Sequence, residues 1–353
     1  MSDAKTNRVT WVDLARGVGI LLVVIGHAAG GIIDSPLGSH ATVMRWVFLT
    51  IYTFHMPLFF ILAGLFVAER LAANPKKFIS GTFTKIARAY FTWAIIQFSV
   101  IYMMGNTLNH PATGPYLPQL ISIIWQPVSQ FWFLYALFFM QIFAWLVVPK
   151  TGPIGFFAIS ALIYVALQVF GIPKWADTPP VGEFCTFVIS FGIGVAIGPR
   201  LPTLKVLKDP SPLVPIALAV AWVICYGLAF LYVTHNAGPD WITKDQGAEI
   251  AFVANGWVFY PAALAGTAAV IFACCANVIP LRKAFEYLGK NSMPIFLTHI
   301  LFIAGARIIV LKFVPHIDVT LLTVMVSIVG IAGSLVFLEA AKRVKIAKAL
   351  ALV

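Results

Sequence analysis

The residues able to do chemistry in this chain are few, and their spacing is specific. In Asp13-Leu14-Ala15-Arg16-Gly17 and the apolar run that follows, an arginine and the next histidine, His27, are eleven positions apart. Eleven helical steps of about 100° return a side chain to within roughly 20° of its start and carry it about 16 Å along the axis. Arg16 and His27 therefore share one helix face. Asp13 lies one turn before Arg16, where a carboxylate favours a helix start and can pair with the arginine. His55, His299 and Arg307 also fall inside apolar runs. Ionisable groups at membrane depth are costly, which makes all five residues, from Arg16 to Arg307, candidates for function. An imidazole, with an ordinary pKa of about 6.5, suits proton transfer at neutral pH. Plainer readings stand beside these: Arg16 and Arg307 can snorkel to a membrane face, and each histidine can make one structural bond in a helix bundle.

The elements that must hold these groups follow from composition. The 353 residues are 60% hydrophobic and 10% charged, with a mean hydropathy of +0.92, whereas a soluble domain carries about a quarter charged residues. Apolar stretches of spanning length fall near 12–33, 45–68, 87–104, 131–148, 154–171, 181–198, 212–233, 253–276, 292–311 and 319–340. The expected fold is an all-α integral membrane protein, a bundle of about ten transmembrane helices forming a single domain over 1–353. The first run follows Lys5 and Arg8 but carries Arg16 and His27, and reads as a retained helix rather than a signal peptide. With the N-terminus inside, 18 of the 24 Lys and Arg residues lie in cytoplasmic segments and four, Arg45, Lys174, Lys244 and Lys312, outside. The positive-inside rule then puts both termini in the cytoplasm and the protein in the inner, or plasma, membrane. The same distribution accounts for the +11 charge without a nucleic-acid partner.

The four cysteines, Cys185, Cys225, Cys274 and Cys275, have neither metal-ligand nor redox spacing, so no disulfide framework and no metal is expected. The outer segment 105–130 holds four prolines and no Lys or Arg, and reads as a vestibule or re-entrant loop rather than a span. The outer segment 234–252, with Asp240, Asp245 and Glu249, is the most acidic part of the chain. Gly17, Gly19, Gly26, Gly30 and Gly31 on the first helix allow another backbone, or a ligand, to come close. In the second span His55 precedes Pro57, whose ring frees a backbone carbonyl that a neighbour or water must satisfy.

These motifs together resemble the membrane acyltransferase-3 family. The Arg16 to His27 spacing is similar to the family's signature on its first helix. Phe54 to Gly64 (FHMPLFFILAG) resembles the fucose 4-O-acetylase branch, Trp132-Phe133-Leu134 resembles the opening of the family's fourth helix, and Leu288-Gly289-Lys290-Asn291-Ser292 with Ile295 to His299 resembles its late segment. The family's cytoplasmic Arg-x-x-Arg stands here as Lys85-Ile86-Ala87-Arg88, which keeps the charge but loses one planar fork.

The resemblance implies transfer of an acyl group, usually acetyl, from cytoplasmic acyl-CoA to a hydroxyl of a carbohydrate or lipid-linked glycan. Acetyl-CoA is the expected acyl donor, with Arg16, Lys85 and Arg88 binding its phosphates. His27 is the expected base, or alternatively the residue that carries a covalent acetyl group, and His55 or His299 would polarise the thioester or orient the base. Trp125, Trp132, Trp175 and Trp241 either stack on sugars or form an interfacial aromatic belt. The competing class is a transporter that uses Arg16, His27 and His299 as a proton or substrate pathway.

Overall fold

The computed structural model describes residues 10–112, 114–171, 179–208, 210–238, 256–276 and 278–353, and every structural statement below concerns these. Their regular structure is entirely helical: α1 Thr10–Ile33, α2 Thr42–Gly64, α3 Val67–Ala73, α4 Pro75–Thr82, α5 Arg88–Met104, α6 Tyr116–Ser122, α7 Trp132–Phe170, α8 Pro179–Ile197, α9 Leu213–Ala237, α10 Gly256–Cys275, α11 Arg282–Lys290, α12 Ser292–Phe313 and α13 Val319–Arg343. Nine helical stretches among the described residues are long and apolar enough to cross a membrane. Helices satisfy their own backbone groups, which hydrocarbon cannot do.

The longest stretch, Ser129–Phe170, is broken inside α7. Gly152, between Pro149 and Pro153, takes φ 68° and ψ 175°, a conformation glycine reaches without strain and other residues do not. Phe143 and Phe156 lie on either side of the break with ring centroids 5.2 Å apart. Thirteen residues of continuous helix would separate them by about 20 Å along the axis. The two halves of α7 therefore fold back on one another as a hairpin.

The first helix is the hub of the bundle, packing on α2, α10, α11, α12 and α13. Apolar helices in lipid associate through close packing rather than water exclusion, so small residues decide where they meet. A Cβ on Gly19, Gly26 or Gly30 would come within 2.9–3.1 Å of Phe59, Tyr52 and Phe48 respectively. Numbers that rise along α1 fall along α2, so the pair is antiparallel. At the start of α1, Gly17 meets the backbone of Phe285 and Gly289 meets the backbone of Asp13, which sets α11 directly across α1. Thus four of the stripe's glycines admit rings or backbone, and the fifth, Gly31, admits the Arg307 guanidinium.

Other neighbours fix relative directions. Gly194 abuts Ile61 and Gly64, and Gly198 abuts Leu65, so α8 runs parallel to α2. The ring pairs Tyr226–Phe259 and Tyr232–Trp257 make α9 and α10 antiparallel. Beside Pro57 of α2, the Phe54 carbonyl accepts the Thr267 hydroxyl of α10 at 3.2 Å. Gly330 meets Ile303 and Gly333 meets Phe302, which makes α12 and α13 antiparallel. The segment 105–130 does not span: it holds short α6 and is tied down where Gln97 and Gln130 exchange amide hydrogen bonds of 3.0 and 2.9 Å.

Candidate active site

Three helices bring three histidines together around the middle of the bundle. The His27 and His299 rings lie 5.2 Å apart at 51°, the Tyr52 hydroxyl lies 3.5 Å from His27 Nδ1, and the Tyr52 ring is 4.6 Å from that of His55. Their accessibilities differ in a way that matters. His55 and His299 are only 2% and 0% exposed, whereas His27 is partly accessible. Of the three, His27 alone is not fully buried.

The backbone fixes the other two. His55 Nδ1 lies 2.8 Å from the Ile51 carbonyl, and His299 Nδ1 lies 3.0 and 2.9 Å from those of Ile295 and Phe296. A carbonyl can only accept, so each Nδ1 donates, and each neutral ring is left with a lone pair on Nε2. In that tautomer Nε2 of each ring can accept a hydrogen bond, and neither ring has a second N–H left to donate. His299 Nε2 is buried and has no hydrogen-bond partner among the described residues. A buried acceptor without a partner loses about 1–3 kcal/mol, which a bound hydroxyl or water at that position would offset. Among the described residues no three His, Cys, Asp or Glu side chains converge as metal ligands do.

Asp13 is buried where α11 crosses α1, and Arg16 on the next turn is partly exposed. Beside them α11 presents Arg282, ion-paired to Glu286 at 2.7 Å, with Lys283 and Lys290 on the same short helix. Lys85 and Arg88 are exposed. Lys85 lies in the π-helical segment Phe83–Ala87 and Arg88 opens α5; that region packs on α7 rather than α11.

At the far end of α1, Arg307 departs from the snorkelling expectation. It is 6% exposed and donates to the carbonyl of Gly31, which also accepts the Asn109 side-chain amide at 2.9 Å. The last carbonyls of a helix lack intrahelical donors, so a buried guanidinium is a favourable cap. Asp34, three residues on, pairs with His110 at 3.2 Å. Loop 105–112 is thus fastened over the end of α1.

Sequence reasoning missed two residues. Tyr52 looks like any membrane aromatic, although its place one turn before His55 and opposite Gly26 was a usable signal. Glu183 is a carboxylate inside span-forming α8, and its Oε2 is buried without a partner among the described residues. Of the candidate sugar-stacking residues, Trp132 stacks on Phe187 at 5.5 Å as core, and Trp125 is exposed. Trp175, Trp241 and the acidic residues Asp240, Asp245 and Glu249 lie outside the described residues.

No curated protein and no solved structure matches the chain. A family model described as an acyltransferase domain matches residues 9–339, a stretch that takes in Arg16 and all three clustered histidines. On that near-complete match the chain belongs to the acyltransferase-3 family, and the family indicates a membrane acyltransferase.

Proposed function

We propose that the protein moves an acetyl group from cytoplasmic acyl-CoA to a hydroxyl of a carbohydrate or lipid-linked glycan, with His27 as general base. The observation that carries this reading is the cluster itself. One partly accessible imidazole lies 5.2 Å from a buried imidazole and is linked to a second through Tyr52, and it shares a helix face with Arg16 about 16 Å away.

The reading includes ten crossings of the inner membrane with both termini cytoplasmic. Three observations support it: the fold-back at Gly152, the 18-to-4 distribution of basic residues, and parity. Counting α7 as two spans makes α8 descend with α2 and α12 rise with α1. Those are the parallel pairs found between α2 and α8, and between α1 and α12 through His27–His299 and Gly31–Arg307. A single crossing would reverse both.

A CoA phosphate needs clustered cations outside hydrocarbon, and Arg16, partly exposed beside basic α11, fits that need, while Lys85 and Arg88 form a separate exposed basic pair on the α7 side. When bound, acyl-CoA supplies the thioester carbonyl. His27 takes the proton of the acceptor hydroxyl as that oxygen bonds to the carbonyl carbon, and returns it to the departing sulfur. Arg16, Lys85 and Arg88 hold phosphate, and the lone pairs of His55 and His299 orient hydroxyl or imidazole hydrogens near His27. Family membership favours this chemistry over a transport pathway through the same residues.

The test is incubation of purified protein in nanodiscs with labelled acetyl-CoA and a panel of glycans. Label in a glycan with matching release of free CoA is expected; no CoA release in any mixture would refute the reading. A terminal reporter appearing on the outer face would overturn the topology.

A further inference from the structure

We propose that Tyr52 is a positioning residue that selects the working tautomer of His27, an inference that rests on the general-base reading above. A neutral imidazole carries one N–H, and only its other nitrogen can take a proton. If His27 Nδ1–H points at the Tyr52 oxygen, 3.5 Å away, Nε2 is left free to act as the base. If instead the tyrosine donates to Nδ1, the proton sits on Nε2 and that atom cannot accept one. Contacts of this kind are often long without substrate and tighten in the reacting complex.

Two observations favour the first arrangement. The Tyr52 ring is held in place: it stacks on Phe48 with centroids 3.7 Å apart, and Gly26 makes room for its edge, which a Cβ would approach to 3.0 Å. The second concerns His299, whose ring lies 5.2 Å from that of His27 but whose buried Nε2 has no hydrogen-bond partner among the described residues. An N–H on His27 Nε2 is therefore not bonded to His299, whereas an N–H on Nδ1 faces the Tyr52 oxygen. Tyr52 then does for His27 what a carboxylate does in a catalytic triad, with a neutral phenol oxygen as the acceptor.

The experiment is ¹⁵N NMR of histidine-labelled protein in nanodiscs without substrate, at a pH where the ring is neutral, with His27→Gln identifying the signal. Wild-type His27 is expected to be protonated on Nδ1. Tyr52→Phe keeps the ring and its stacking but loses the oxygen, and should move the tautomer ratio about fivefold toward Nε2–H, the worth of one ordinary hydrogen bond. Turnover of acetyl-CoA should fall by about the same factor with KM unchanged, since binding is untouched. Gly26→Ala, which displaces the ring without removing the hydroxyl, should shift the ratio in the same direction. An Nε2–H tautomer in the wild type, or an unchanged ratio in Tyr52→Phe, would overturn the proposal. Failure of the acyl-transfer reading would show differently, as a wild-type protein that releases no CoA whatever its tautomer.

Discussion

Replacing Gly289 with alanine tests whether the crossing of α1 and α11 sets the geometry of the histidine cluster. A methyl group at 289 would overlap the Asp13 carbonyl oxygen and come to 2.7 Å from its carbon and 2.9 Å from the Gly17 nitrogen, where ordinary contacts fall at 3.4–4 Å. Every obstructing atom is backbone, so no rotamer change relieves the clash and the helices must part by on the order of 1 Å. Overpacking costs about 1–3 kcal/mol, and a backbone collision belongs at the upper end. Asn291 alone joins α11 to α12, so the shift is passed to His299, whose ring lies 5.2 Å from that of His27. A misplacement of about 1 Å among reacting groups can cost roughly 10²-fold in rate. The control is Gly227→Ala in α9, where a Cβ meets nothing within 4 Å. It removes a helix-interior glycine and should be neutral or slightly stabilising, by about 0.5–1 kcal/mol. Thermal unfolding in nanodiscs and CoA release from acetyl-CoA would be measured on both. A Gly289→Ala protein as stable and as active as the control would refute the argument.

Three further outcomes are expected. His27→Gln should lower single-turnover transfer from labelled acetyl-CoA about 10²–10⁴-fold while binding and thermal stability stay near wild type, because an amide cannot accept the proton; a near-normal rate would remove His27 from the chemistry. Arg88→Ala should weaken acyl-CoA binding with kcat largely unchanged at saturation, as loss of a phosphate contact does, and calorimetric titration giving an unaltered Kd would end that assignment. Arg307→Met should lower stability by about 1.5–3 kcal/mol through loss of a charged donor to the Gly31 carbonyl, with Arg307→Lys intermediate; an unchanged Tm would mean the guanidinium contributes no net bond.

Much of the bundle was legible because membrane helices announce themselves by length and apolar content. The predicted spans 87–104, 292–311 and 319–340 start within a residue of α5, α12 and α13. The split of α7 could be read from Pro149-Lys150-Thr151-Gly152-Pro153, where two prolines and a glycine cannot continue a helix. The shared face of Arg16 and His27 was equally local, a matter of spacing on one helix. What spacing cannot give is the partner on another helix. Arg307 near a helix end reads as snorkelling, and only the arrival of α12 beside the end of α1 makes it a cap. Tyr52 is one of ten tyrosines until Gly26 lets it approach His27. The short α11 carries too many charges to read as a span, yet its glycine-to-backbone crossing helps position both Asp13 and His299.

The position of His27 along α1 bears on how two substrates of opposite character could meet. With a rise of 1.5 Å per residue, His27 lies about 25 Å from the start of α1 at Thr10 and only about 9 Å from its end at Ile33. Polyanionic phosphates cannot cheaply leave the basic end, so a donor held near Arg16 must send a thin, uncharged arm along the helix to reach the imidazole. A bulky polar acceptor has the shorter path, past the end of α1 where Asp34, His110, Asn109 and Arg307 gather. Such a division asks for a narrow route beside α1 below His27 and a polar mouth above it. These four residues make that end of α1 polar, and their contacts hold loop 105–112 over it, so an acceptor entering there must lift the loop. Along the rest of α1, Phe59, Tyr52 and Phe48 fill the glycine side toward α2, and Phe285 closes over Gly17. The Arg16–His27 face is itself filled between those two residues by Ile20 and Val23, 2% and 3% exposed, so an arm that follows this face to His27 must displace these two side chains.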